Sequence, residues 1–226
     1  LYEEQALATL DEIWQTHDYA VMCGGSMMYI DAVTKGIDPL PTISEEIREK
    51  ALAIYTQGGL EALHRTLGEI DPQSLKECDP CNHRRLIHAI EITMQAGAPA
   101  SRLRTGQTKE RPFRIVKMAI GHTRENLFDR INRRVGMMIE AGLEEEARSV
   151  YHLRHLNSLN TVGYKEMFAM FDGTMDRQTA IARIAKNTRV YAKKQLLWLS
   201  KDPSAIILDP GSPLLGQALE ALESVE

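Results

Sequence analysis

Apolar positions Leu1, Ala6, Leu7, Leu10, Ile13 and Trp14 recur at the spacing of one helix face and predict an amphipathic helix over 1–17. Tyr19-Ala20-Val21-Met22-Cys23 is a short continuous apolar run closed by Gly24-Gly25-Ser26, and an apolar-flanked stretch follows at 27–35. That order predicts a strand, a tight glycine turn and a helix, one step of a parallel α/β sheet. Gly36 closes the step, and Asp38-Pro39-Leu40-Pro41 makes a stiff connector.

From residue 42 the pattern is helical. Ser44 ahead of Glu45 and Glu46 has the form of an N-cap with acids in the first turn. Helices are predicted at about 44–56, 58–69, 72–78 and 82–96, broken by Gly58-Gly59, Asp71-Pro72 and Cys78-Asp79-Pro80-Cys81. Gly97 and Pro99 end the last one, and 100–111 reads as a polar, basic loop. Residues 113–120 alternate and are rich in β-formers, a return to the sheet. Helices follow at 123–141 and 143–156, a loop at 157–163, helices at 164–171 and 176–200, a buried strand at 205–208 and a terminal helix at 212–225. The expected organisation is an α/β core from 1–35 and 113–226, with 36–112 as a helical insert.

Three dispersed strands are few for a doubly wound sheet, whose phosphate loop sits at the first strand-to-helix turn. Neither GxxxxGK[ST] nor GxGxxG occurs in the 226 residues. Residue 1 is Leu, and the chain enters a helical pattern with no cap before it, so the chain is expected to have been cut from a longer one.

Composition narrows the class. Apolar residues make up 43% and charged residues 26%, as in ordinary soluble globular proteins. No stretch approaches the ~20 apolar residues of a membrane span, so a cytoplasmic location is the default. The net charge of -4 argues mildly against nucleic acid, but the clustering of basic residues matters more than their sum. Three cysteines, Cys23, Cys78 and Cys81, fit a reducing compartment. Cys78 and Cys81 have CxxC spacing but no second pair, and His64, His83 and His88 lie at no recognised ligand spacing, so no metal site is expected. No nucleophile elbow is present.

Five constellations could carry chemistry, each with a plain structural alternative. Gly24-Gly25-Ser26 could admit a ligand to a helix N-terminus, or be a turn only. In Asn82 to Glu91, Arg84, Arg85 and His88 share a face near a helix start, while Leu86 and Ile90 face elsewhere; the basic face could meet phosphates or only solvent. Arg130, Arg133 and Arg134 are neighbours at i, i+3, i+4, with Val135, Met138 and Ile139 on the apolar side. Their rigid forks suit diphosphate oxygens, or they could pair with Glu144, Glu145 and Glu146. The helix 176–200 carries Arg177, Arg183, Lys186, Arg189, Lys193 and Lys194, with Lys201 beyond, and Ile184, Ala185, Leu196 and Leu199 able to face the core. Such a stripe on an acidic protein suits a phosphate backbone. Asn160 to Glu166 sets a glycine beside an aromatic and a lysine, which could clasp a nucleotide or merely cover the core with Tyr164.

Taken together, six segments in order resemble the bacterial tRNA dimethylallyltransferase family: Gly24 to Tyr29; Gly36 to Pro41; Asn82 to Glu91; Arg130 to Val135 with Gly142 to Glu146; Val162 to Glu166; and Thr188-Arg189 to Trp198-Leu199. The resemblance spans nearly the whole chain. It implies a P-loop-type α/β core with an anticodon-gripping insert, and transfer of a dimethylallyl group from dimethylallyl diphosphate to N6 of the adenine 3′ of the anticodon (A37), in tRNAs reading U-starting codons. The target base is flipped into a channel, and magnesium accompanies the diphosphate. The implied partners are the tRNA anticodon stem-loop and dimethylallyl diphosphate, and the implied state is a monomer.

Residue by residue, the resemblance assigns Arg134 to the diphosphate and Ser26 to a tRNA contact near the target adenine. It assigns Arg48, Arg84, Arg85, Leu86, Ile87 and His88 to tRNA contact in the insert. Asn160, Thr161, Val162, Gly163, Tyr164 and Lys165 form a further contact segment, and Lys193, Lys194 and Lys201 another. The family's P-loop and its acidic general base have no counterpart in these residues, so the chain alone is expected to be inactive. The rival expectations are a non-catalytic tRNA-binding module, a prenyltransferase acting on free adenine nucleotides, and a P-loop kinase.

Overall fold

The computed structural model describes residues 1–224. By its internal contacts the chain forms two compact units, Leu1–Phe113 and Arg114–Glu226.

The first unit is helical. Its opening helices are α1 (Tyr2–Trp14) and α2 (Met27–Thr34). The strand expected at 19–23 is absent: no regular element lies there and Val21 is 93% exposed. The reason is a missing partner. A strand needs a neighbour for its backbone groups, and among the described residues this unit contains no other strand.

The core of this unit is built by α3 (Glu45–Ile70), α4 (Pro72–Glu77), α5 (His83–Ala96) and the short α6 (Ala100–Leu103). The two helices expected at 44–56 and 58–69 run on as α3 across a kink at Gly59, whose φ of 60° and ψ of -153° suit glycine alone. Ser44 caps α3, Asp71 caps α4 and Asn82 caps α5, each side chain accepting a backbone N–H three residues on. Leu63, Leu67, Leu86, Ala89, Ile90 and Ile92 are fully buried and knit α3 to α5.

The stretch from 109 to 111 is fastened to the opening helices by one acid. Glu3 of α1 accepts from Arg111 at 2.8 Å and from Lys109 at 3.0 Å, and Arg111 also donates to the carbonyls of Ala32 and Val33 at the end of α2. Burial alone would raise the Glu3 carboxyl; the hydrogen bonds from Arg111, Lys109 and the Ile37 N–H outweigh it and hold the pKa at about 2. Lys109 and Arg111 are thus occupied by structure.

The second unit holds the only sheet among the described residues, β1 (Met118–Ile120) paired in parallel with β2 (Ile206–Leu208). The strand expected over 113–120 is shorter because its partner offers only three residues; Phe113 packs instead on Trp14, 4.7 Å between ring centres. The helices are α7 (Arg124–Glu140), α8 (Leu143–Ser149), α9 (Tyr164–Phe171), α10 (Arg177–Leu199) and α11 (Leu214–Glu223). The expected helix 143–156 stops at Ser149 and continues as a 3₁₀ turn, Tyr151–Leu153, with a second at Asn157–Leu159 where a loop was expected. The terminal helix expected to 225 ends at Glu223, and residue 225 lies outside the described residues. Val135, Leu143, Ala147, Met167, Phe168, Ala180 and Ile184 form the core. Leu196, expected to face inward, is 41% exposed.

Candidate functional site

In the first unit, α5 delivers its basic residues outward by burying the opposite face. Leu86 and Ile90 are inside, which leaves Arg84, Arg85 and His88 in solvent. The fully buried Leu86 side chain anchors the helix, and Ile87 is half-buried against the same core. Arg84, Arg85 and His88 line a cleft of about 510 Å³ with Ser74, Glu77, Cys78 and a residue the sequence reading missed, Arg104.

Arg104 is placed by a buried carboxylate. Asp71, 1% exposed, accepts from the backbone and hydroxyl of Ser74 and, thirty residues on, from the N–H (2.9 Å) and hydroxyl (2.6 Å) of Ser101. Burial would raise this carboxyl, but the four hydrogen bonds from Ser101 and Ser74 dominate and lower its pKa to about 2. The clamp fixes α6, and α6 ends at Arg104. Nothing in the spacing of 100–104 could reveal this, because the signal lies in Asp71. No carboxylate pairs with Arg84, Arg85 or Arg104 among the described residues; the one acid in the lining, Glu77, is engaged by Gln73 at 2.6 Å.

Arg48 stands exposed in the first turns of α3 and is not among the cleft's lining residues. Ser26 is the half-buried N-cap residue of α2; its carbonyl accepts from Tyr29 and Ile30, and its hydroxyl makes no cap bond. The cysteines are free, and no group of three or more potential metal ligands exists among the described residues.

In the second unit, Arg130, Arg133 and Arg134 lie exposed on α7, with Ile131 and Val135 buried behind them. Of the three acids that could have neutralised them, two are engaged elsewhere, and exposed Glu145 forms no ion pair with them among the described residues. Glu144 takes Arg177 at 2.9 Å and Arg148 at 3.7 Å, and Glu146 accepts from the Tyr164 hydroxyl at 2.5 Å. Among the described residues the three arginines carry no ion pair, so three adjacent cations stand ready for an anion.

The segment 160–165 is held from beneath. Gly163 has φ of +108°, a conformation that suits glycine, and its N–H donates to Glu166 at 2.8 Å. Glu166 is 3% exposed and also accepts from Asn187 of α10 at 2.7 Å. Tyr164 is tied by Glu146, whose hydrogen bond, with some burial, raises the phenol pKa. Asn160, Thr161, Val162 and Lys165 remain exposed. Beside them is a cleft of about 460 Å³ lined by Asn160 and Lys165 together with Arg154, His155, Asn157 and the apolar Phe168. Lys193, Lys194 and Lys201 are exposed on and after the end of α10.

The chain is similar to known proteins along most of its length. The profile of the IPP transferase family matches residues 1–202. The chain is 48% identical over 209 residues to tRNA dimethylallyltransferase 1 of Phocaeicola vulgatus, and 47% identical over 209 residues to tRNA dimethylallyltransferase 2 of Parabacteroides distasonis. Each alignment covers 92% of this chain and 70% of the relative. Its structure is similar to that of the tRNA isopentenylpyrophosphate transferase of Bacillus halodurans, with 29% identity, a TM-score of 0.64, and coverage of 99% of this chain and 71% of the other. A eukaryotic dimethylallyltransferase solved acting on tRNA shares the fold, with a TM-score of 0.72, 20% identity, and coverage of 99% and 60%. The α/β fold with a small parallel sheet and the sequence profile give one answer: the chain belongs to the IPP transferase family.

Proposed function

We propose that this protein takes part in transferring a dimethylallyl group from dimethylallyl diphosphate to N6 of the adenine 3′ of the anticodon (A37), in tRNAs that read U-starting codons. The observation that carries this reading is the set of unpaired arginines: Arg84, Arg85 and Arg104 around one cleft, and Arg130, Arg133 and Arg134 on one helix. Arginines without carboxylates suit phosphate oxygens, which accept their forked donors two at a time.

In this reading 36–112 grips the anticodon stem-loop and 1–35 with 113–226 forms the reaction core. Arg48, Arg84, Arg85, His88, Asn160 to Lys165, Lys193, Lys194 and Lys201 meet the RNA, and Ser26 lies by the target adenine. Arg134 holds the diphosphate and neutralises charge as the carbon–oxygen bond breaks. The described residues contain no cluster that fits a magnesium ion, so no step is assigned to the metal; it would enter with the diphosphate. The 226 residues contain no P-loop sequence, so prenyl transfer by them alone is not expected. No helix among the described residues is long and apolar enough to cross a membrane. The reading includes a cytoplasmic monomer.

Neutralising Arg84 and Arg85 together to Gln tests the reading. Affinity for an anticodon stem-loop should fall at least tenfold with the fold intact by circular dichroism. Unchanged affinity in the folded double variant would count against it.

A further inference from the structure

Phe128 of α7 lies between two helices with three cations around its ring. The Arg124 guanidinium carbon is 5.3 Å from the ring centre, the Lys193 Nζ 5.6 Å and the Arg189 guanidinium carbon 5.8 Å. Arg189 is fixed further by a 2.5 Å hydrogen bond to Asn132 on α7. None of the three has a carboxylate partner among the described residues.

Two other ring-bound cations of this unit differ, while Arg154 over Tyr151 stands alone on its ring and likewise has no carboxylate partner among the described residues. Lys117 over Trp198 is paired with Asp202 at 2.6 Å, and Arg148 over Phe171 is paired with Glu144. A ring attracts a cation only weakly, too little to offset the crowding of three like charges by much. The arrangement fits an anion with oxygens spread over several ångströms.

We propose that Arg124, Phe128, Asn132, Arg189 and Lys193 form a phosphate-binding site whose ligand is the RNA sugar–phosphate backbone. Lys193 already belongs to the RNA-facing stretch and Arg189 to the basic stripe of the same helix; Arg124, Phe128 and Asn132 are assigned to neither, and the inference rests on that reading. A free diphosphate offers the same oxygen chemistry. Position along the helix favours RNA: Arg134 lies six residues beyond Phe128, about 9 Å along α7 and about 120° around it, on a different flank. Cations gathered around one ring without carboxylates suit phosphate oxygens rather than a base edge, so the site tracks a backbone and reads no base.

The test is the salt dependence of binding between the 226-residue chain and an anticodon stem-loop. Arg124→Gln and Arg189→Gln should each weaken binding several-fold at low salt and flatten the log–log salt slope by about one phosphate, and the double variant by about two. Lys193→Gln serves as a second single variant should Arg189→Gln fail to fold. Arg148→Gln, whose charge is already paired, should leave the slope unchanged. A parallel titration with inorganic pyrophosphate should show no effect of Arg124→Gln. Unchanged RNA slopes in folded variants, with loop-selective wild-type binding retained, overturn the site and leave the RNA reading standing. Weakened pyrophosphate binding with an unchanged RNA slope also overturns it, in favour of a diphosphate site. Loss of loop selectivity in the wild-type chain overturns both.

Discussion

Asn187 on α10 donates a 2.7 Å hydrogen bond to Glu166 at the start of α9, and the second oxygen of that carboxylate receives the N–H of Gly163. Two helices and the exposed segment 160–165 are thus joined through one buried acid. Asn187→Leu leaves that oxygen without its donor in the interior. It should cost about 1–3 kcal/mol in denaturant unfolding. It should also weaken stem-loop binding, although Asn187 itself faces no ligand. Wild-type stability in this variant would show that the network does not hold the segment.

Asp71 predicts a pH signature. Its folded pKa, about 2, lies below the ordinary 3.8, so its contribution to stability is complete above 3.8 and is lost as pH falls toward 2. The difference corresponds to roughly 2 kcal/mol. Asp71→Ala should destabilise the first unit by about 2–4 kcal/mol at neutral pH, since it removes the α4 cap and the Ser101 clamp together. Unfolding of the variant should depend less on pH between 4 and 2 than that of the wild type, with Glu3 and Asp202, also near 2, and the other lowered carboxylates Asp38, Glu46, Asp176 and Asp209 supplying the remainder.

Arg104 and Lys109 are both basic and close in sequence, yet the structure separates them. Arg104→Ala should lower RNA affinity about as much as Arg84→Ala, because both line one cleft. Lys109→Ala should leave affinity unchanged and reduce stability slightly, as its charge is held by Glu3 at a half-exposed site. Equal losses of affinity would contradict the division.

Arg134→Gln should separate the two substrates. Binding of dimethylallyl diphosphate should fall at least tenfold while stem-loop affinity changes less than twofold, measured by calorimetry on the same preparation. A reversed pattern would place Arg134 against the RNA.

The helices were legible because their caps and apolar faces are local. Ser44, Asp71 and Asn82 each cap a helix close to where the spacing put its start, and α5 buries the face that Leu86 and Ile90 marked. The sheet was not legible in detail because strands are defined by partners. The run 19–23 has strand composition but no neighbour among the described residues, and β1 shortens to match β2. The basic clusters could be read as clusters but not as free or neutralised. Glu144 and Glu146 were open candidates for Arg134 in the sequence; Arg148, one turn on, takes part of Glu144, and only folding sends the two acids to Arg177 and Tyr164. Arg104 escaped notice because its placement depends on Asp71, and Lys109 and Arg111 could not be classified without seeing Glu3.

The central claim is that these residues recognise an anticodon loop. The most direct measurement is binding of the 226-residue chain to a stem-loop carrying adenines 3′ of the anticodon, against the same stem with a scrambled loop, across a salt series. The account predicts tighter binding to the first by at least tenfold, falling steeply with salt. Equal binding to both loops by a folded chain would contradict it.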